Sequence, residues 1–158
     1  MKRPAVFFDR DNTLIIGSEY LGDPEQVKLV DGAADVVAAV RAAGYATVVA
    51  SNQSGVARGY FSEGDVRAVN RRMDEQLKAA NPDAIIDRHE YCPYHPEGTV
   101  EQYQRDSDLR KPAPGMLFLA ADRLGLDLSR SWMVGDAARD IEAGHAAGCR
   151  TRRSSSRR

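Results

Sequence analysis

The sequence predicts an α/β layer fold built on a parallel sheet. Short apolar runs without polar alternation, of the kind buried on both faces, recur along the chain. Between them lie segments with apolar residues at helical spacing. The regular alternation of the two is the pattern of strands joined by crossover helices. The 158 residues suffice for one domain with a real core.

Ala5–Phe8 is the first strand, a run of four apolar residues. Residues 12–30 show no sustained period and read as a loop or small flap. Asp31 then looks like an N-cap for a helix carrying Ala33, Val36, Val37 and Val40, closed by Gly44. Residues 45–50 form a second strand. Ser62 with Asp65 is a capping box for a second helix, whose inward stripe is Val66, Val69, Met73 and Leu77. Residues 84–86 and those just after them suggest a third strand. The stretch 91–113 is a long loop, and loops of that length in compact domains are usually functional. Pro114 starts a third helix with Leu117, Ala121 and Leu124, residues 131–134 form a fourth strand, and 136–147 form a last helix closed by Gly148. An apolar strand is expected next, but arginine and serine follow. The sheet is therefore expected to lack its last edge strand, with residues 1–149 as the domain and 150–158 as a disordered basic tail.

Composition narrows the function classes. A hydrophobic content of 42% with 28% charged residues suits a soluble globular protein. No apolar stretch is long enough for a membrane span, and the N-terminus does not read as a signal peptide. Two cysteines, Cys92 and Cys149, are too few for a disulfide framework, so a reducing cytoplasm is the expected setting. The net charge is −1, and five arginines fall in the tail, which leaves −6 on the body. A negative body without aromatic-basic interleaving argues against nucleic acid as a partner.

The strongest chemical signal is VFFDRDNTL, residues 6–14. Asp9 and Asp11 lie two apart where a buried strand ends, the end at which open α/β sheets bind ligands. Residues i and i+2 on extended chain share a face. One carboxylate can then attack phosphorus while the other transfers protons. A pair of solvated turn aspartates is the plain alternative. Ser51-Asn52-Gln53-Ser54-Gly55 ends the second strand with a hydroxyl and successive N–H groups suited to phosphate oxygens, or with a mere polar turn. Arg110-Lys111-Pro112 offers two cations, or a surface charge pair. Val134-Gly135-Asp136, with Asp140 beyond, adds acids at the fourth strand end. Asp9, Asp136 and one backbone carbonyl, with Asp11 in the set, make a hard oxygen site for Mg²⁺; capping of the last helix is the alternative for Asp136. All four signals fall at strand ends.

Together these motifs resemble the haloacid dehalogenase superfamily of phosphatases over nearly all of residues 4–149. More narrowly, FFDRDNTL, SNQSGVARGYFSE, CPYHPEG, LRKPAPGM and MVGDAARDIEAG are similar to the heptose bisphosphate 7-phosphatases and the related histidinol-phosphatases. The resemblance implies a Rossmann-like domain without a large cap. It also implies Asp9 as nucleophile, Asp11 as acid and base, Ser51 and Lys111 as phosphate holders, and Asp136 as magnesium ligand. Arg110 and the Asn52, Gln53 and Ser54 loop would face the substrate, with Arg58, the Tyr20 region and the 91–110 loop setting specificity. The expected substrate is a small phosphorylated metabolite, a sugar bisphosphate first and histidinol phosphate second. A polynucleotide end-processing module and a catalytically impaired interaction protein are the remoter alternatives.

Three departures from the family pattern bear on this. The family often holds its long loop with zinc, but here Cys92 is followed by Tyr94, Ser107 and Leu109 at the other ligand positions. One thiolate does not make a structural zinc site. No zinc is expected, with the loop held by packing of Tyr91, Tyr94 and Tyr103. Asn12 stands where glycine is usual, and asparagine tolerates a left-handed backbone. The missing last strand would expose the edge of residues 131–134 and invite pairing in an otherwise monomeric protein.

Overall fold

Ala5–Phe8 forms a central strand, β1, because its four side chains alternate between two apolar layers and all four are buried. The computed structural model describes residues 2–17 and 20–154. The other strands are β2 (Ala46–Asn52), β3 (Arg88–Cys92), β4 (Trp132–Gly135) and β5 (Arg150–Arg153). They make one sheet in the order β3-β2-β1-β4-β5, and every neighbouring pair is parallel. The helices are α1 (Ala33–Ala42), α2 (Glu63–Ala80), α3 (Gly115–Leu124) and α4 (Ala138–Ala146). Val6 and Phe8 pack with Val37 of α1 and with Val69, Met73 and Leu77 of α2. Ala5 and Phe7 face the other way, onto Met116, Leu117 and Ala120 of α3 and Met133 of β4. The chain runs outward through β2 and β3, then crosses back to lay β4 beside β1. That reversal opens a crevice at the carboxyl ends of β1 and β4, the place where such sheets take ligands.

The α2 capping box forms as expected: the Asp65 N–H donates to Ser62 Oγ at 3.1 Å, and the Ser62 N–H donates to Asp65 Oδ2 at 2.9 Å. Asn12 takes the left-handed conformation, φ 64°. Other expectations need correction. The N-cap of α1 is Gly32 at φ 80°, not Asp31. The third strand lies wholly beyond residues 84–86, at 88–92. As an edge strand it needs no continuous apolar run, so half-exposed Arg88 and His89 fit it. The last helix begins at Ala138, which frees Asp136 from a capping role.

The expectation of a missing edge strand is also overturned. Arg150–Arg153 is β5 and pairs in register with Trp132–Gly135, so the 131–134 edge is covered and the domain runs past residue 149. An outermost strand must satisfy its backbone on one side only. Exposed arginines suit that position and discourage further pairing. Thr151 alone turns inward, against Gly144 and close to Met133. Residues 155–158 of the expected tail lie outside the described residues. Among the described residues no helix is long and apolar enough to cross a membrane.

Candidate active site

The strand ends bring the acids together. Asp9 follows β1 directly and still pairs with β4, its N–H donating to the Val134 carbonyl at 3.0 Å. Lys111 arrives from the long loop and is wholly buried. Its Nζ donates to Asp9 Oδ1 at 2.9 Å, to Asp140 Oδ1 at 2.6 Å and to the Ala50 carbonyl at 2.7 Å. These use all three donors of the ammonium. Asn52 fixes the lysine from behind: its Oδ1 accepts the Lys111 N–H at 2.9 Å and its Nδ2 donates to the Lys111 carbonyl at 3.0 Å. The Lys111–Pro112 peptide is cis.

Asp9, Asp136 and Asp140 each offer an oxygen within 4.8 Å of the others. Lys111 is the cation bonded among them, so three carboxylates to one ammonium leave two negative charges uncompensated. Both Asp140 oxygens already have partners, Lys111 on one and the Ala137 N–H on the other at 3.1 Å. A Cβ at Gly135 would fall on that carboxylate, so the glycine is what lets Asp140 approach. Asp9 and Asp136 keep oxygens available. A hard donor set short of two positive charges fits Mg²⁺. Burial pushes the Asp9 carboxyl above its ordinary value of 3.8; the Lys111 ammonium opposes this, and the Asp140 and Asp11 carboxylates add to the rise.

Asp11 is held on both oxygens. Arg10 Nε donates to Oδ1 at 3.1 Å and Gln53 Nε2 to Oδ2 at 3.2 Å. Gln53 Nε2 also donates to Ser51 Oγ at 2.7 Å, which leaves the serine proton free to point at a ligand. Arg10, only 1% exposed, reaches the Asn70 side-chain oxygen on α2 at 3.0 Å. Beside this floor lies a pocket of about 470 Å³, whose lining includes Asp11, Ser54, Arg58, Arg110, Arg139 and Tyr20. The Nε atoms of Arg58 and Arg110 are buried there without a protein partner. The Arg58 guanidinium lies 5.9 Å from the centre of the Tyr20 ring.

Every residue singled out in the sequence lies in this one region, though two serve it indirectly. Asn52 clamps Lys111, and Gln53 orients Asp11 and Ser51. In the sequence Asp140 stands only as a further acid beyond Asp136, and its closeness along the chain to that residue is the available signal for a shared site. Arg139, Arg10 and Asn70 went unassigned, since only folding brings them here. In the long loop the Tyr94 and Tyr103 rings pack at 6.0 Å and the Arg105 guanidinium lies 4.0 Å from the Tyr94 ring centre. Tyr91 and Tyr103 meet on Glu63 rather than on each other.

Residues 108–152 match the HAD-hydrolase-like family. Over 147 residues the chain is 43% identical to the D-glycero-beta-D-manno-heptose-1,7-bisphosphate 7-phosphatase of Rhodopseudomonas palustris, covering 93% of this chain and 81% of that protein. The protein of the same name from Escherichia coli K12 is 40% identical over 149 residues, 94% of this chain and 77% of that one. Among solved structures, a HAD-like phosphatase from Mesorhizobium loti superposes with a TM-score of 0.88 at 40% identity, covering 94% of this chain and 70% of that one. The D,D-heptose 1,7-bisphosphate phosphatase of B. bronchiseptica, complexed with magnesium and phosphate, gives 0.81 at 30% identity over 94% of this chain and 78% of that one.

Proposed function

Because the chain belongs to the D-glycero-beta-D-manno-heptose-1,7-bisphosphate 7-phosphatase family of HAD-type hydrolases, and is thus a phosphoric monoester hydrolase, we propose that it removes the 7-phosphate of that sugar bisphosphate through an aspartyl-phosphate on Asp9. The observation that carries this reading is the buried Lys111 ammonium, which holds the Asp9 and Asp140 carboxylates at the carboxyl end of β1.

Lys111 occupies one oxygen of Asp9 and leaves Oδ2 for in-line attack on phosphorus. The P–O ester bond breaks, and the departing alkoxide takes a proton from Asp11 in its protonated form. Asp11, now ionised, removes a proton from water. That water attacks the acyl phosphate, releases inorganic phosphate and restores Asp9. Arg10 and Gln53 keep Asp11 in place between the steps. Ser51 offers a donor to the phosphoryl oxygens, and the Lys111 ammonium, its three donors already taken, places a positive charge beside them. Asp9, Asp136 and the Asp11 backbone carbonyl would hold Mg²⁺, which neutralises charge on the transferring phosphoryl group.

The pocket favours a bisphosphate. Arg58, Arg110 and Arg139 face one cavity, and two of them carry buried, unpartnered Nε donors. A second phosphate would pair with the positive charge these arginines bring to the cavity, whereas the ammonium of histidinol phosphate would be repelled. The long loop is read as zinc-free: Cys92 is buried, burial pushes its thiol up, and Tyr94, Ser107 and Leu109 bring no further thiolate. The test is phosphate release from the heptose 1,7-bisphosphate and from histidinol phosphate, with and without magnesium, together with metal analysis. Faster histidinol phosphate turnover would move the substrate. No magnesium-dependent release from either ester would remove the enzyme reading, and stoichiometric zinc would refute the zinc-free loop.

A further inference from the structure

We propose that Glu63 is a positioning residue for substrate selection: one carboxylate, bonded to two tyrosines, sets the loop that ends in Arg110 and seats beside Arg58, two of the cations of the pocket. The inference rests on the bisphosphate reading above and concerns a residue outside the catalytic floor.

Glu63 is the first residue of α2. Its Oε1 accepts from the Tyr91 hydroxyl at 2.7 Å and its Oε2 from the Tyr103 hydroxyl at 2.6 Å. Short O–H···O⁻ bonds of this kind are about twice as strong as neutral ones. The two phenols, Tyr103 foremost, hold the Glu63 carboxyl below its ordinary value. Arg67, one turn along the helix, donates to the Tyr91 hydroxyl at 3.2 Å.

The two tyrosines bracket the loop. Tyr91 lies near the end of β3, and Tyr103 closes a single 3-10 turn, Glu101–Tyr103, the one regular element between β3 and α3. The geometry passes from Tyr103 to the pocket in two steps. Its carbonyl accepts the His95 N–H at 3.1 Å, and His95 Nε2 lies 3.5 Å from Arg58 Nη2. Thr99 and Val100 both donate their N–H groups to the Ala57 carbonyl, at 2.8 and 2.9 Å, so the loop seats on the residue just before Arg58. The same loop ends in Arg110. A stretch with so little regular structure keeps its course through such anchors. When the carboxylate is removed, the arginines lose their placement while Asp9, Lys111 and Asp140 keep theirs.

The test uses Glu63→Ala, Tyr103→Phe and the double variant in the full chain. Ser62 and Asp65 still cap α2 in all three, so the helix start is retained. For the heptose bisphosphate, KM should rise about tenfold in each, less than the hundredfold that a shift of about 1 Å can cost, with little change in kcat. The double variant should match Glu63→Ala, because that change already removes the bond to Tyr103. Hydrolysis of p-nitrophenyl phosphate, which needs only the floor, should be unchanged. Amide exchange at His95 and Tyr103 should quicken. That readout needs no substrate, so it judges the clamp even if the wild type hydrolyses neither ester and the phosphatase reading falls. Unchanged exchange, an unchanged KM, or equal losses on both esters would overturn the assignment.

Discussion

The two ends of the sheet carry their charges differently. At the amino ends Asp87 and Ser131 have their partners. Asp87, just before β3, accepts from Arg41 Nη1 at 2.7 Å and from the Thr47 N–H at 2.9 Å. Ser131, just before β4, accepts the Ala5 N–H at 2.9 Å and donates to the Asp127 carbonyl at 2.7 Å. At the carboxyl ends three carboxylates cluster and two of them bond the one lysine, while two arginine Nε atoms are buried without partners. One end satisfies its polar groups and secures the strands. The other holds a charge deficit that magnesium and phosphate can fill. Such sites are maintained against stability, because activity needs groups left waiting for a ligand.

The largest test of this contrast is Asp9→Asn. Loss of the proposed nucleophile should lower turnover by at least about four orders of magnitude. If the carboxyl end really carries excess negative charge, the same change should leave the melting temperature of the metal-free protein unchanged or higher. Surviving activity would break the covalent route, and a marked fall in melting temperature would break the account of the charge excess. Lys111→Met works the opposite way. It leaves the Asp9 and Asp140 carboxylates buried without their cation, which should cost roughly 3–5 kcal/mol. Melting should fall by roughly 10 °C, and magnesium should restore part of it. A variant as stable as wild type would show that the lysine is not what holds the floor.

A smaller effect is expected at the rim. Arg110→Ala should raise KM for the bisphosphate by about tenfold, the size of one lost charged hydrogen bond, and leave p-nitrophenyl phosphate turnover alone. Equal losses on both esters would place Arg110 in the floor instead.

Floor and rim also differ in how far the sequence discloses them. Asp9, Asp11 and Asp136 follow strands and Ser51 lies near the end of one, so local pattern alone puts them at one end of a parallel sheet. Lys111 is legible through its motif, whereas its partner Asp140 stands in the sequence only as a further acid beyond Asp136. Glu63, Asn70 and Arg139 carry no such mark. Their place depends on α2 and α4 docking beside distant strands, and a lone glutamate in a first helical turn reads as a dipole partner and nothing more. The two missed strand positions share a cause. β3 and β5 lie at the sheet edges, where exposed side chains remove the apolar run that identifies a buried strand.

The smallest effect tests the amino end. Burial alone would raise the Asp87 carboxyl, but the Thr47 N–H and Arg41, with Arg3 nearby, outweigh it and hold the group below its ordinary 3.8. A carboxyl lowered by folding stabilises the protein above its unfolded pKa and loses that contribution as pH falls through the folded value. The Asp87 side chain is 19% exposed and that of Arg41 33%, so water still screens the pair and the contribution should stay below about 1 kcal/mol. Asp87→Asn should therefore lower the neutral-pH melting temperature by about 2–4 °C at most. The gap to wild type should narrow below pH 3.8 and close once Asp87 is protonated in the folded wild type. Turnover at neutral pH should not change, because the group lies at the far end of the strands from Asp9. A gap that persists in acid would mean the asparagine disturbs packing at Thr47 rather than charge. A loss of turnover would mean that the two ends are coupled through β2, and the division of labour between them would fail.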